Sequence, residues 1–100
     1  MDKKIYKYTL SFEDLQTLSL PGRSEILSVC EQYGNMVLYA IVDSEITVFH
    51  DYEIRIYGTG HPVPSWLEDF TFLGTVKLSD GSLMFHVFYQ KPQKWGSVST

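Results

Sequence analysis

Apolar and polar residues alternate along most of the chain, a pattern typical of half-buried β-strands. Strand-like segments cover residues 5–10, 15–20, 25–32, 36–42, 46–49, 52–57, 70–78 and 83–89. Residues 36–42 are apolar at every position, which predicts a central strand covered on both faces. In residues 52–57 the alternation is strict and places Ile54 on the face opposite to Arg55.

Three segments leave alternatives open. Residues 15–20 favour a strand, but a helical turn over residues 12–15, capped by Ser11, is a second interpretation. Residues 46–49 and 52–57 predict either two paired strands or one long strand bent near His50 and Asp51. Residues 65–69 fit one turn of helix.

Turn signals separate these strands at short intervals. Tyr33-Gly34-Asn35 and Asp80-Gly81 are hairpin signals, because Gly, Asn and Asp tolerate positive φ. About six or seven strands with at most one short helical turn predict an all-β fold, a single small antiparallel β-sandwich or barrel. We expect one β domain over residues 1–90 and a mobile tail over residues 91–100, in which Trp95 is the only apolar anchor.

Composition narrows the class of protein. The 100 residues carry a net charge of −4, which argues against a nucleic-acid partner that is bound through its phosphates. No apolar run approaches the roughly 20 residues of a spanning helix, and no secretory signal opens the chain, so we expect no membrane association. The single cysteine, Cys30, fits a reducing compartment.

Residues that could support catalysis or bind a metal are few. Cys30 lies in an apolar strand pattern, which predicts a buried, inert thiol. His50, His61 and His86 lack the spacing of a metal site on one element, and the flanks of His86 predict a hydrogen-bonded histidine. The carboxylates are dispersed along the chain. We therefore expect no enzyme activity, no metal and no cofactor.

The segment 58–64 is the least regular part of the chain and carries the candidate site. Its two glycines and two prolines exclude regular structure, and glycines allow backbone N–H groups to converge on an anion. Arg55 precedes this segment, and aromatic rings flank it. The candidate ligand-binding residues are Arg55, Tyr57, Gly58, Thr59, Gly60, His61 and Trp66. The alternative is a wide turn that serves only the fold.

Two strings of residues carry a family resemblance. Arg55-Ile56-Tyr57-Gly58-Thr59-Gly60-His61-Pro62 and Phe85-His86-Val87-Phe88, with further matches from about residue 4 to residue 89, resemble a family of small bacteriophage and prophage proteins without an assigned function. The resemblance implies an accessory protein in the host bacterial cytoplasm. It transfers no catalytic residue.

Two classes of function follow from that resemblance. In the first, the protein counters host defence by binding, either by sequestering a nucleotide-like immune signal or by covering a host defence protein. The sequestering version implies a homo-oligomer, because 100 residues give little room for a closed pocket. In the second class, the protein is a structural or assembly component of the phage, and a small enzyme ranks third.

Overall fold

Two antiparallel sheets face each other in the computed structural model, which describes residues 2–92. The strands are β1 Lys3–Thr9, β2 Leu15–Pro21, β3 Glu25–Gln32, β4 Asn35–Asp43, β5 Phe49–Gly58, β6 Thr71–Leu78 and β7 Leu83–Gln90. One sheet has the order β1-β4-β3 and the other β2-β5-β7-β6. The predicted all-β fold is confirmed, and the two separate sheets make it a sandwich. Residues 93–100, which include Trp95 and most of the predicted tail, lie outside the described residues.

The core lies between the inner faces of the two sheets. The most deeply buried large side chains are Tyr52, Leu20, Met36, Leu38, Ile54, Ile56, Val76 and Val87. Tyr52 adds a polar atom to this core, and its hydroxyl donates a hydrogen bond to the backbone carbonyl of Ser24 at 3.0 Å. Removing apolar side chains from water lowers the free energy of the folded chain. Because apolar and polar residues alternate strictly along β5, this determines which face of the strand is buried and which faces solvent.

The sandwich is closed along one side and open along the other. Strand β3 packs against β6, where a Cβ atom on Gly74 would lie 3.1 Å from Cγ1 of Val29. The opposite edges are β1 in one sheet and β2 in the other. An apolar cavity of about 310 Å³ lies between these two edges.

The structure decides the open alternatives. Residues 15–20 belong to strand β2, and no helical turn forms over residues 12–15. A single strand, β5, begins at Phe49, so residues 46–48 do not form a strand of their own. The helical turn predicted over residues 65–69 is present as the 3₁₀ turn Ser65–Asp69.

The hairpin between β6 and β7 is longer than a two-residue turn. Its connecting residues Ser79–Gly81 form a tight left-handed turn and not a second right-handed helical turn. Ser79, Asp80 and Gly81 all have positive φ, with values of 52°, 57° and 94°. The positive φ expected at this turn is therefore present, over three residues.

Candidate functional site

The outer face of the four-stranded sheet carries the charged and aromatic side chains that the sequence singled out. Arg55 pairs with Phe88 and Tyr57 pairs with His86 in the register of β5 and β7. Residues opposite each other in an antiparallel pair share a face, so these four side chains point to the same side. They lie opposite the face on which Ile54 and the other inward residues of β5 are buried.

Arg55 is held by two partners at once. Its Nε and Nη2 atoms donate to Oε2 of Glu53 at 2.7 and 2.6 Å. Its guanidinium carbon lies 4.7 Å from the centroid of the Trp66 ring, within the range of a cation–π contact. The carboxylate neutralises the guanidinium, and the contact fixes the 3₁₀ turn Ser65–Asp69 against the sheet.

Aromatic rings extend outward from this contact. Trp66 lies 5.6 Å from Phe70, Tyr57 lies 6.2 Å from Phe88, and Phe72 lies 5.3 Å from Phe88, measured between ring centroids. Trp66 and Phe72 remain exposed, at 42% and 55% of their surface. Both groups of rings therefore present apolar area to solvent.

A polar concavity of about 290 Å³ opens beside Arg55. Its lining residues are Glu53, Arg55, Trp66, Asp69, Phe70 and Gln90. Among these lining residues, two carboxylates, Glu53 and Asp69, stand against the one guanidinium of Arg55. The charge around the concavity is therefore acidic.

Two backbone N–H groups of the Gly58–His61 turn donate hydrogen bonds within the fold. The Thr59 backbone N–H donates to the carbonyl of Met84 at 3.3 Å, and the His61 N–H donates to that of Gly58 at 3.1 Å. Gly60 has a φ of +89°, as expected at such a turn. A Cβ atom on Gly58 would lie 3.0 Å from Cε1 of His61, so the glycine makes room for that ring.

The Thr59 side chain joins the turn to the sheet. Its Oγ1 lies 2.7 Å from Nε2 of His86, and Oγ1 of Thr75 lies 3.0 Å from Nδ1 of the same ring. Both ring nitrogens of His86 therefore have hydroxyl partners, which agrees with the hydrogen-bonded histidine that its flanks predict.

The predicted site residues separate into two groups. Arg55 and Trp66 meet at the concavity, with Tyr57 nearby on the same face. Gly58, Thr59, Gly60 and His61 form the adjoining turn and do not line the concavity.

Sequence reasoning missed several residues of this site, namely Glu53, Asp69, Phe70, Phe72, Phe88 and Gln90. Glu53 had a usable signal, since it lies two positions before Arg55 on the same face of one strand. Asp69 and Phe70 lie three and four positions after Trp66, so the turn that carries Trp66 also brings them to the site. Phe72, Phe88 and Gln90 lie on β6 and β7, which only the sheet pairing brings beside β5.

The expectation that Cys30 is buried is wrong, because its side chain is exposed. The pairing of β3 with β4 shifts between Ile26 and Ser28. This bulge reverses the alternation, so Cys30 lies on the face opposite to Ile26. Within residues 2–92, no group of three or more His, Cys, Asp and Glu side chains is placed to hold a metal ion.

Comparisons with known proteins give a family but no activity. No helix within residues 2–92 is long and apolar enough to span a membrane. No curated protein and no solved structure matches the chain significantly. Residues 1–97 match a domain of unknown function, DUF7352, and the chain therefore belongs to the DUF7352 family.

Proposed function

We propose that this protein is a non-enzymatic binding protein that covers a basic surface of another protein with the outer face of its four-stranded sheet. The observation that carries the proposal is the contact of Arg55 with both Glu53 and Trp66. It orders an aromatic and acidic surface before any partner arrives. Preorganised side chains lose less entropy on association, which favours binding.

Charge favours a protein over a nucleotide as the partner. A phosphate group would meet an Arg55 whose charge Glu53 already neutralises, and it would approach a concavity that Asp69 also lines. The N–H groups of Thr59 and His61 are already used. A lysine or arginine side chain would be attracted by the Asp69 carboxylate, which lines the concavity and forms no ion pair within residues 2–92.

The aromatic rings supply the apolar part of the surface. Trp and Arg are the residues that most often dominate the energy of protein interfaces, especially near the centre. Trp66 is exposed at 42%, and Phe72 at 55%, so both retain area that a partner could cover. A surface with exposed rings and an acidic surround is suited to a basic protein, including one that binds nucleic acid.

The biological setting of the proposal comes from the resemblance to phage and prophage proteins. In that setting the partner is a host defence protein in the bacterial cytoplasm. Sequestration of a nucleotide-like signal by a homo-oligomer is the other version of the same class. Because the lining of the concavity is acidic, sequestration of a nucleotide-like signal is less well supported than binding of a protein.

Comparative affinity capture tests the proposal. The full-length protein, a Trp66→Ala variant and a Tyr33→Ala variant are immobilised, exposed to bacterial extract and eluted with increasing salt. Tyr33 is a matched aromatic control, because its side chain is 92% exposed in a turn between β3 and β4, away from the site. Retained proteins are identified by mass spectrometry, and thermal melting checks that each variant folds.

The expected result is a basic protein that the wild type and Tyr33→Ala retain and that Trp66→Ala loses. Moderate salt should elute it, since screening weakens charge attraction. Equal retention by all three proteins would overturn the proposal. So would a nucleotide that binds the wild type and is lost on Trp66→Ala substitution.

A further inference from the structure

We propose a second binding site, at the open side of the sandwich, that accepts an extended peptide with alternating apolar and acidic residues. The site combines the free edge of β1 with the apolar cavity beside it. It lies apart from the surface around Arg55 and does not depend on the function proposed for that surface.

The cavity provides room for apolar side chains. Its volume is about 310 Å³, and its lining includes Tyr6, Tyr8, Pro21, Val42, Ile46 and Phe49. Phe49 and Tyr6 remain 56% and 40% exposed at this side of the sandwich. One or two aliphatic side chains would fill such a space and remove these rings from water.

The backbone of β1 is a suitable template for an added strand. Strand β1 lies at the edge of its sheet and pairs with β4 alone, in continuous register from Lys3 to Thr9. Its seven residues contain neither proline nor glycine. The facing edge strand β2 ends in Pro21, which lacks a backbone donor, so β1 is the better template.

Register determines which side chains a bound strand would need. Tyr6 pairs with the buried Ala40, so Tyr6 and Tyr8 face the cavity, whereas Lys3 and Lys7 lie on the outer face. Residues of an added strand opposite the tyrosines would enter the cavity. Residues opposite the two lysines, four positions apart, would lie beside cations.

Charge complementarity favours an acidic peptide as the ligand of the β1 edge. Lys3, Lys4 and Lys7 form no ion pair within residues 2–92, and Lys7 donates only to the side-chain amide of Gln32, at 2.9 Å. Pairing β1 with β1 of a second copy would bring these lysines close to those of its partner. Like charges on paired strands are unfavourable, so an acidic peptide fits this edge and a second copy does not.

A designed peptide tests the site. The probe is fluorescein-labelled Val-Glu-Val-Thr-Val-Glu-Val, whose two glutamates have the spacing of Lys3 and Lys7, and the control peptide carries lysines instead. Binding to the full-length protein is followed by fluorescence polarisation. A Lys3→Glu/Lys7→Glu variant reverses the edge charge, and Lys77→Glu on β6 is the matched surface control.

The acidic peptide should bind saturably, at least about fivefold more tightly than the lysine peptide, and this preference should reverse in the double variant. Lys77→Glu should leave it unchanged, and the bound peptide should slow amide hydrogen exchange along β1. Absence of saturable acidic-peptide binding to the wild type would overturn the proposal. So would an unchanged preference in a folded double variant, or a dimer formed through β1.

Discussion

The guanidinium carbon of Arg55 lies 4.7 Å from the centroid of the Trp66 ring, and this contact joins strand β5 to the 3₁₀ turn that follows the Gly58–His61 turn. Eleven positions separate the two residues in the chain. The irregular segment 58–64 lies between the two residues in the chain, so the contact connects its two ends. Glu53 completes the arrangement by neutralising the charge.

Arg55→Ala should lower the free energy of unfolding by about 1 kcal/mol, because it removes a partly buried ion pair and a cation–π contact together. A double-mutant cycle with Trp66→Ala isolates the second contact. We expect a coupling free energy of about 0.5–1 kcal/mol by urea denaturation. Strictly additive losses would show that the ring and the guanidinium do not interact in solution.

Gly58→Ala should destabilise the fold by about 1 kcal/mol or less, because the new methyl group would press against the exposed and displaceable His61 ring. His61→Ala removes that obstacle. In the His61→Ala background, the cost of Gly58→Ala should therefore fall towards zero, as measured by chemical denaturation. The same cost in both backgrounds would assign the glycine requirement to another cause.

Gly81→Val should destabilise the β6–β7 hairpin by about 1 kcal/mol or more, since the φ of Gly81 is +94° and a β-branched residue resists positive φ. Gly81→Asn is the matched control. Asparagine tolerates this conformation better, so its loss in thermal stability should be clearly smaller. Equal stability of the valine variant and the wild type would contradict the turn geometry.

Tyr52→Phe should change both stability and its dependence on pH. Burial, with a smaller contribution from Tyr89, raises the pKa of the Tyr52 phenol above its ordinary value of 10.0. Above that pH the unfolded chain loses the proton first, so the contribution of Tyr52 to stability is complete at lower pH and is lost as the pH rises.

The phenylalanine variant should be less stable by about 1 kcal/mol at neutral pH, because the bond to the Ser24 carbonyl is missing. Its stability should fall less steeply above about pH 10 than that of the wild type. The stability of the variant should still fall as the pH rises, since burial also raises the pKa of Tyr8. Denaturation at a series of pH values checks both effects. Identical alkaline slopes would contradict the role of Tyr52.

Local pattern predicted the strands well, because alternation and turn residues act over a few positions. The strict alternation of β5 placed Ile54 and Arg55 on opposite faces, and in the structure Ile54 is buried and Arg55 lies on the other face. The bulge after Ile26 was not visible in the sequence, because one unpaired residue depends on the pairing with β4. For that reason the predicted burial of Cys30 is wrong.

The candidate site was predictable only in part. Arg55 and Trp66 flank the segment 58–64, whose glycines and prolines exclude regular structure, so the sequence predicted both as site residues. Phe72 and Phe88 come from β6 and β7, and their position depends on a sheet order that sequence spacing does not contain. The glycines of the turn had pointed to phosphate binding. In the structure, the N–H groups of Thr59 and His61 donate to backbone carbonyls instead.

Native mass spectrometry distinguishes directly between a protein and a nucleotide as the partner of the surface around Arg55 and Trp66. The purified protein is incubated with bacterial extract and with a panel of cyclic and linear nucleotides, and Trp66→Ala is treated in parallel. We expect an adduct with the mass of a protein on the wild type, absent from the folded variant, and no nucleotide adduct. A bound mass of a few hundred daltons that survives purification and requires Trp66 would contradict it.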